Sequence, residues 1–241
     1  DAFQHKYAVL AINCFNLETA RAAIQAAEQQ RAPLILNVYQ GHSAHFPPAV
    51  AAPLVQALAA QAAVPVALAL DHGKAFPLIG QAFRAGFTGL MIDASAEPLA
   101  DNIRQTAAVV KMAHTAGVCV EGELGHIADA PTYELADAAV KMTRPKIDFE
   151  RLQQLHAVTT RPLALHGGSG TPAEDIRRVS ACGVAKINVG AAVFDAGKHA
   201  VQQALRQHPQ AELADVLALM ESACREVVIE YLSWSGSANR Y

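Results

Sequence analysis

A single-domain α/β chain folded as a (β/α)8 TIM barrel is what the sequence predicts, on three observations. Short apolar runs recur along the chain, seven of them legible. Ala- and Arg-rich stretches bounded by Gly or Pro separate them, as amphipathic helices between strands would. No linker or hinge interrupts the alternation. At 241 residues and 52% hydrophobic composition the chain is long enough for one large core, and α/β barrels commonly fill this length.

The elements follow in order. AVLAI (8–12) reads as the first strand and leads to Asn13 and Asn16, with LETARAAIQAAEQQ (17–30) as its helix. LILNV (34–38) is the second strand. VALAL (66–70) suits a strand covered on both faces, and it ends in Asp71, His72 and Gly73, at the rim of the sheet. PLIGQAFRAG (77–86) is the helix behind it. TGLMI (88–92) ends at Asp93 and Ser95 and precedes NIRQTAAVVKMAHTAG (102–117). VCV (118–120) runs into Glu121 and Glu123. PLALH (162–166) opens HGGSG and the helical PAEDIRRVSACG (172–183), and AKINV (185–189) contains Asn188.

The eighth strand falls between 121 and 161, where LADAAV (135–140) is the candidate. That interval is too short for a helix, a strand and a rim loop. The expectation is therefore one barrel domain over 1–241 that lacks part of its sixth unit. An open doubly wound sheet is the alternative, but no GxGxxG follows the first strand.

Nineteen basic and twenty-two acidic side chains give a net charge of −3, which leaves no cationic field for nucleic acid or an anionic membrane. Local capture of a phosphate needs only a few amides and is not excluded. The four cysteines form no CxxC pair, which argues against a disulfide framework or thiolate zinc site. The expected compartment is the cytoplasm, and no apolar segment reaches membrane-spanning length.

In a barrel, strand ends far apart in sequence converge on one rim. His72 and His166, each preceding Gly, suit a divalent metal site, with Asp93 or Glu123 available as a further ligand. A single histidine at a strand end is more often structural, so the pair and its carboxylates carry the case. Glu121 and Glu123 lie on one side of a strand by the two-residue period. They point toward metal, a cation or solvent, and a surface strand end is the plainer account of at least one. HGGSG offers flexible amides at a helix entrance for a phosphate, or else a turn capped by Ser169 or Thr171. Met91 reads as core packing.

The ordered set AINCFN, ALALDHG, FTGLMIDAS, VCVEGELG, PKIDFERL, LALHGGSG and KINVG resembles the class II, metal-dependent ketose-bisphosphate aldolases, which include fructose- and tagatose-bisphosphate enzymes. The resemblance implies zinc-dependent reversible cleavage of a phosphorylated ketose to dihydroxyacetone phosphate and an aldehyde. It implies His72 and His166 as two of three zinc histidines and Asp71 as the acid/base at the aldehyde oxygen. Gly167, Gly168, Ser169 and Asn188 would hold the phosphate, and Asn13 would face the substrate. Asp93 and Glu123 match carboxylates beside the metal, alternative ligands or a second site; a second ion or a monovalent cation belongs to the same expectation. A homodimer or homotetramer is implied too, with the apolar VVIEYLSWSG (227–236) available to cover a neighbour.

The departures from the family lie on the rim. The third histidine's Gly-Thr-x-His-Gly stretch is absent, which predicts unseen chain with a histidine between Val140 and Lys141, or else an inactive relative. The loop after VEGELG is reduced to GHIADAPTY, so the comparison with the family implies rim loops missing near 126–133 and between 140 and 141. Tyr39 and Gln40 replace small hydroxyl residues, Ala96 a histidine of some members, and Ala191 a phosphate-binding threonine. The competing functions are a non-catalytic phosphate-binding barrel and a Schiff-base aldolase using Lys186.

Overall fold

The computed structural model describes residues 1–125 and 146–241. All seven apolar runs form strands: β1 Val9–Asn13, β2 Leu34–Tyr39, β3 Val66–Gly73, β4 Gly89–Ile92, β5 Cys119–Gly122, β6 Leu163–Leu165 and β7 Val184–Val189. They make one parallel sheet in the order β5-β4-β3-β2-β1-β7-β6. Parallel neighbours need crossovers. The helices are α1 Ala2–His5, α2 Leu17–Gln29, α3 Pro48–Ala59, α4 Phe76–Ala85, α5 Leu99–Ala113, α6 Phe149–Val158, α7 Ala173–Val179, α8 Ala191–Gln207 and α9 Leu213–Ser235.

Strand alternation sorts the residues into two faces. Leu10, Ile12, Leu34, Leu36, Leu68, Leu70, Leu90, Ile92, Ile187 and Val189 join the core shared with the helices. Ile35, Ala67, Ala69, Met91, Glu121 and Lys186 instead line a cavity on the other face. That face is concave, as one contact across the sheet proves. β5 and β7 stand five strand spacings apart, about 24 Å if the sheet were flat. Yet Lys186 Nζ on β7 lies 2.6 Å from Glu121 Oε2 on β5.

The described strands thus form a curled half-barrel of α/β type, with β5 and β6 as its edges. The chain between those edges holds LADAAV, the 126–133 loop and the Val140–Lys141 junction, which lie outside the described residues.

The C-terminal segment proves to be an internal strut. Val228, Tyr231 and Leu232 of α9 are buried, and α9 packs on α2 and α8. Tyr231 also donates its hydroxyl to the Ser169 carbonyl at 2.8 Å, tying the helix to the rim. Its apolar residues therefore serve this chain's own core, which corrects the expectation that they cover a neighbour.

Candidate active site

Alternation along β3 places Ala67, Ala69 and Asp71 on the concave face and would send His72 to the helix side. The register with β4 slips between Leu70 and Gly73, and His72 takes a left-handed φ of 53°. The consecutive Asp and His thereby reach the same pocket. Two groups on β4 hold the irregularity. Met91 Sδ accepts the His72 N–H at 3.3 Å, and a Cβ on residue 73 would stand 2.6 Å from the Met91 carbonyl oxygen. Glycine at 73 is a condition of the close approach.

His72 Nδ1 lies 3.0 Å from Asp93 Oδ2 and 3.1 Å from Glu123 Oε2. The Glu123 oxygen sits off the N–H line and has no hydrogen bond among the described residues. His166 Nε2 faces Glu121 Oε1 at 2.7 Å. The tautomers follow from these partners: a ring nitrogen facing a carboxylate carries the proton. That leaves His72 Nε2 and His166 Nδ1 as lone pairs, and they face each other at 3.0 Å. Two opposed lone pairs at this distance repel unless a proton or cation lies between them. The donor set fits a divalent ion on that ground, because the anchoring carboxylates orient both imidazoles toward one point. Ligand-capable atoms of Asp71, His72 and His166 all lie within 4.8 Å of one another, as do those of His72, Asp93 and Glu123. The second group uses the His72 nitrogen already committed to carboxylates, so the first is the better seat.

Asp71 is 4% exposed. Its Oδ2 accepts from Asn13 Nδ2 at 2.7 Å and its Oδ1 from Asn188 Nδ2 at 3.0 Å. Burial works to raise the Asp93 carboxyl, but hydrogen bonds from Ser95 and His72 outweigh it and hold the group below its usual value. Burial likewise opposes the charge on Glu121, yet His166 and Lys186 overcome it and pull the carboxyl down to about 2. Glu123 goes the other way: burial raises it, aided by the Asp93 charge and opposed by His72.

A second feature flanks the histidines. Gly167 (φ 71°) leads from His166 into the 3-10 turn Gly168–Gly170, and a Cβ on Gly168 would meet the Asn188 carbonyl oxygen at 2.6 Å. Ser169 Oγ accepts the Gly190 N–H at 3.1 Å, which stitches this turn to the start of α8. α8 begins without a side-chain cap, so its first amides and positive dipole end are available to an anion. Capping by Ser169 or Thr171 is not what the turn does. α7 has Pro172 at its N-cap with no side-chain bond, and Thr171 Oγ1 donates back to the Gly167 carbonyl.

The structure brings Asn13, Asp71, His72, Asp93, Glu123, His166, Gly167, Gly168, Ser169 and Asn188 to one rim. It separates Asn16, whose side chain accepts the Thr19 N–H in a capping box on α2. Glu121 is a cross-sheet strut, so the surface account fails for it. Met91 is core, as expected, but its sulfur also supports His72. The sequence reading missed the Lys186–Glu121–His166 chain; a lysine at inner-face parity inside the apolar AKINV was the available signal, since such a charge needs a buried partner. It also missed a ring cluster of Phe15, Tyr39, His42 and Phe194 at the same rim.

The sequence profile of the family described as Fructose-bisphosphate aldolase class-II matches residues 1–145 and 130–240. A probable fructose-bisphosphate aldolase of Bacillus subtilis is 33% identical over 269 residues, covering 97% of this chain and 94% of its own. The fructose-bisphosphate aldolase of Staphylococcus epidermidis is 31% identical over 273 residues, covering all of this chain and 96% of its own. That alignment is longer than the 241-residue chain and so contains gaps opposite it. Among solved structures, the YdjI aldolase from Escherichia coli K12 superposes with a TM-score of 0.87 at 26% identity, covering 100% of this chain and 96% of its own. The Campylobacter jejuni fructose-bisphosphate aldolase, with a TM-score of 0.85 at 18% identity over 100% of this chain and 93% of its own, shows the shared fold.

Proposed function

From the premise that this chain belongs to the class II fructose-bisphosphate aldolase family, we propose that it is a zinc enzyme releasing dihydroxyacetone phosphate and an aldehyde from a phosphorylated ketose, and joining them in reverse. The family is metal-dependent and its chemistry is carbon–carbon bond cleavage; this chain is a class II aldolase. The observation that carries the finer reading is the pair of facing imidazole nitrogens, 3.0 Å apart, beside the buried Asp71.

His72 and His166 would hold the ion, and imidazole donors favour zinc over the oxygen-seeking cations. Bound there, the ion would polarise the ketone carbonyl and offset the charge that develops as the carbon–carbon bond breaks. Asp71 accepts the proton of the hydroxyl that becomes the aldehyde oxygen and returns it in the synthetic direction. Asn13 and Asn188 fix both of its oxygens, so the carboxylate is oriented before substrate arrives. The Gly167–Ser169 turn and the start of α8 receive the phosphate through backbone N–H groups. Asp93 and Glu123 orient His72, with a second cation as their alternative use.

Three further readings rest on the same premise. An eighth strand closes the barrel between the edges β5 and β6. The third metal histidine belongs, by the family resemblance, to chain between Val140 and Lys141. The enzyme works in the cytoplasm, as its free cysteines favour, and as a homodimer or homotetramer; exposed Leu213 and Leu219 on α9 offer apolar contact surface. Among the described residues no helix is long and apolar enough to cross a membrane. A non-catalytic phosphate-binding barrel leaves unexplained why a buried carboxylate and two facing imidazoles are held at one point. A Schiff-base lysine is disfavoured because Lys186 Nζ is engaged by Glu121.

The test is dihydroxyacetone phosphate release from fructose and tagatose bisphosphates and ketose 1-phosphates, measured as purified, after chelation and after zinc return. Loss on chelation and recovery with zinc are expected. Full activity in chelator, or no release from any ketose by zinc-loaded protein, would overturn the reading.

A further inference from the structure

We propose that Tyr39 and His42, backed by Phe15 and Phe194, form the seat of the aldehyde half and fit it to an uncharged polyhydroxyaldehyde in preference to one bearing a second phosphate. The inference rests on the aldolase reading above and names the acceptor class for that same site.

Position comes first. The anion-binding turn lies at the ends of β6 and β7, while Asp71 lies on β3. The aldehyde oxygen that Asp71 protonates must sit within hydrogen-bond reach of its carboxylate, so the side chain beside Asp71 on β2 borders the aldehyde half. Tyr39 is the ladder partner of Asp71 in the β2–β3 register. Its ring meets His72 edge-on, with centroids 6.0 Å apart at 85°.

The wall continues from there. His42 packs edge-on against Tyr39 at 5.4 Å, Phe15 at 5.5 Å and Phe194 at 5.7 Å, and Phe15 meets Phe194 at 5.0 Å. All four rings are only partly buried. The Tyr39 pose is built in by the loop, since a Cβ on Gly41 would collide with its ring.

The chemistry of this wall selects against a dianion. Aromatic faces accept the C–H faces of a polyol but give nothing back for a desolvated phosphate. The polar groups of the cluster are the Tyr39 hydroxyl and the His42 ring nitrogens, of which Nδ1 is buried with no hydrogen-bond partner among the described residues. Burial also holds the His42 ring below its usual range, against the pull of the Asp71 charge, so it stays neutral. The cation nearest in sequence is Lys74, exposed just past β3, whose backbone N–H donates to Gln40 Oε1. A second phosphate would turn to it.

Zinc-loaded full chain should be assayed in the synthetic direction with dihydroxyacetone phosphate and either glyceraldehyde or glyceraldehyde 3-phosphate. Solvent exchange of the donor's C–H proton without acceptor is followed in parallel. The unphosphorylated acceptor should be favoured by about tenfold or more in kcat/KM, the scale on which an apolar pocket discriminates. Tyr39→Ser and Gly41→Ala should each shrink that ratio, chiefly through KM for the unphosphorylated aldehyde, whereas Tyr39→Phe should keep it. No donor exchange in the unmodified enzyme defeats the aldolase reading itself. Exchange accompanied by preference for the phosphorylated aldehyde, removed by Lys74→Ala, overturns this inference alone. So does a ratio that Tyr39→Ser leaves unmoved.

Discussion

Replacing Lys186 with methionine tests the strut that crosses the curled sheet. The Lys186 and Glu121 side chains are 15% and 23% exposed and meet at 2.6 Å. Removing one partner of a fully buried pair costs about 3 to 5 kcal/mol, because the other charge is left uncompensated. Glu121 keeps some contact with solvent, which screens part of that loss, so about 2 to 3 kcal/mol is expected here. The same carboxylate anchors His166 Nε2 at 2.7 Å. Zinc affinity should therefore fall by about 10- to 100-fold, the usual cost of losing an outer partner of a metal histidine. Urea unfolding of chelated protein at pH 7 measures the first effect, and competition with a chromophoric chelator measures the second. Glu121→Gln with Lys186→Met should recover a large part of the stability, since both charges then leave together. Acid titration gives a signed check. The Glu121 carboxyl is held at about 2, below its ordinary 4.5, so its contribution is complete above pH 4.5 and is lost as pH falls toward 2. Lys186→Met should flatten that decline. Unfolding within about 0.5 kcal/mol of the parent, the scale of an ordinary surface change, together with unchanged zinc affinity would refute the reasoning.

Asp71→Asn should lower turnover by about 10²- to 10⁴-fold with zinc content nearly intact, as loss of an acid/base group does; near-normal turnover removes Asp71 from the chemistry. Gly168→Ala presses a Cβ against Asn188 O at 2.6 Å and Ile187 Cγ2 at 2.8 Å. It should destabilise by about 1 to 3 kcal/mol in urea and raise KM for phosphorylated ketose more than it lowers kcat. Gly73→Ala should weaken zinc binding in chelator competition while leaving phosphate affinity in place, because it spreads β3 from β4 at His72 and leaves the β6–β7 turn alone. Exposed Cys119 should react with a thiol reagent in the native state, while Cys14 and Cys224, buried and pushed up to about 12 and about 11, should wait for unfolding. Their stabilising contribution is complete below about pH 9 and is lost as pH rises through those values.

Strands were legible because a parallel sheet buried on both faces writes continuous apolar runs such as VALAL and LILNV. Helices were less so. α3 reads PAVAAPLVQALA, with Pro53 in its interior and little polar contrast between faces, so no amphipathic stripe announces it. The aromatic end of α9 looked like a surface for a neighbour because sequence does not show that α2 and α8 already cover it. At the rim, Asn13, Asp71, His166 and Asn188 converge because each sits at or just past a strand end with concave-face parity. Asn16 shares the neighbourhood in sequence but spends its side chain on the α2 cap. The cross-sheet struts were invisible for a different reason: they depend on how tightly the sheet curls, a tertiary quantity that no local pattern encodes.

The Asp-His-Gly triplet shows why the site takes this form. Regular alternation can deliver only every second residue to the concave face. Asp71 arrives by that rule, one step above Ala69 and Ala67. Setting an imidazole beside it in the same strand requires breaking the rule once, and the break has a cost. A left-handed non-glycine residue carries about 1 to 3 kcal/mol of strain. The surroundings offset it with specific contacts: the Met91 sulfur takes the freed N–H, Asp93 takes the ring proton, and Gly73 lets β4 close in. Met91 and Asp93 are distant from His72 in sequence and come from β4 and its end, while Gly73 is its immediate neighbour. The proposed acid/base carboxylate and the proposed metal ligand can thus be adjacent in the chain because the bulge is supported from the next strand. A change on β4 that never touches substrate should therefore reach metal binding through the backbone of β3.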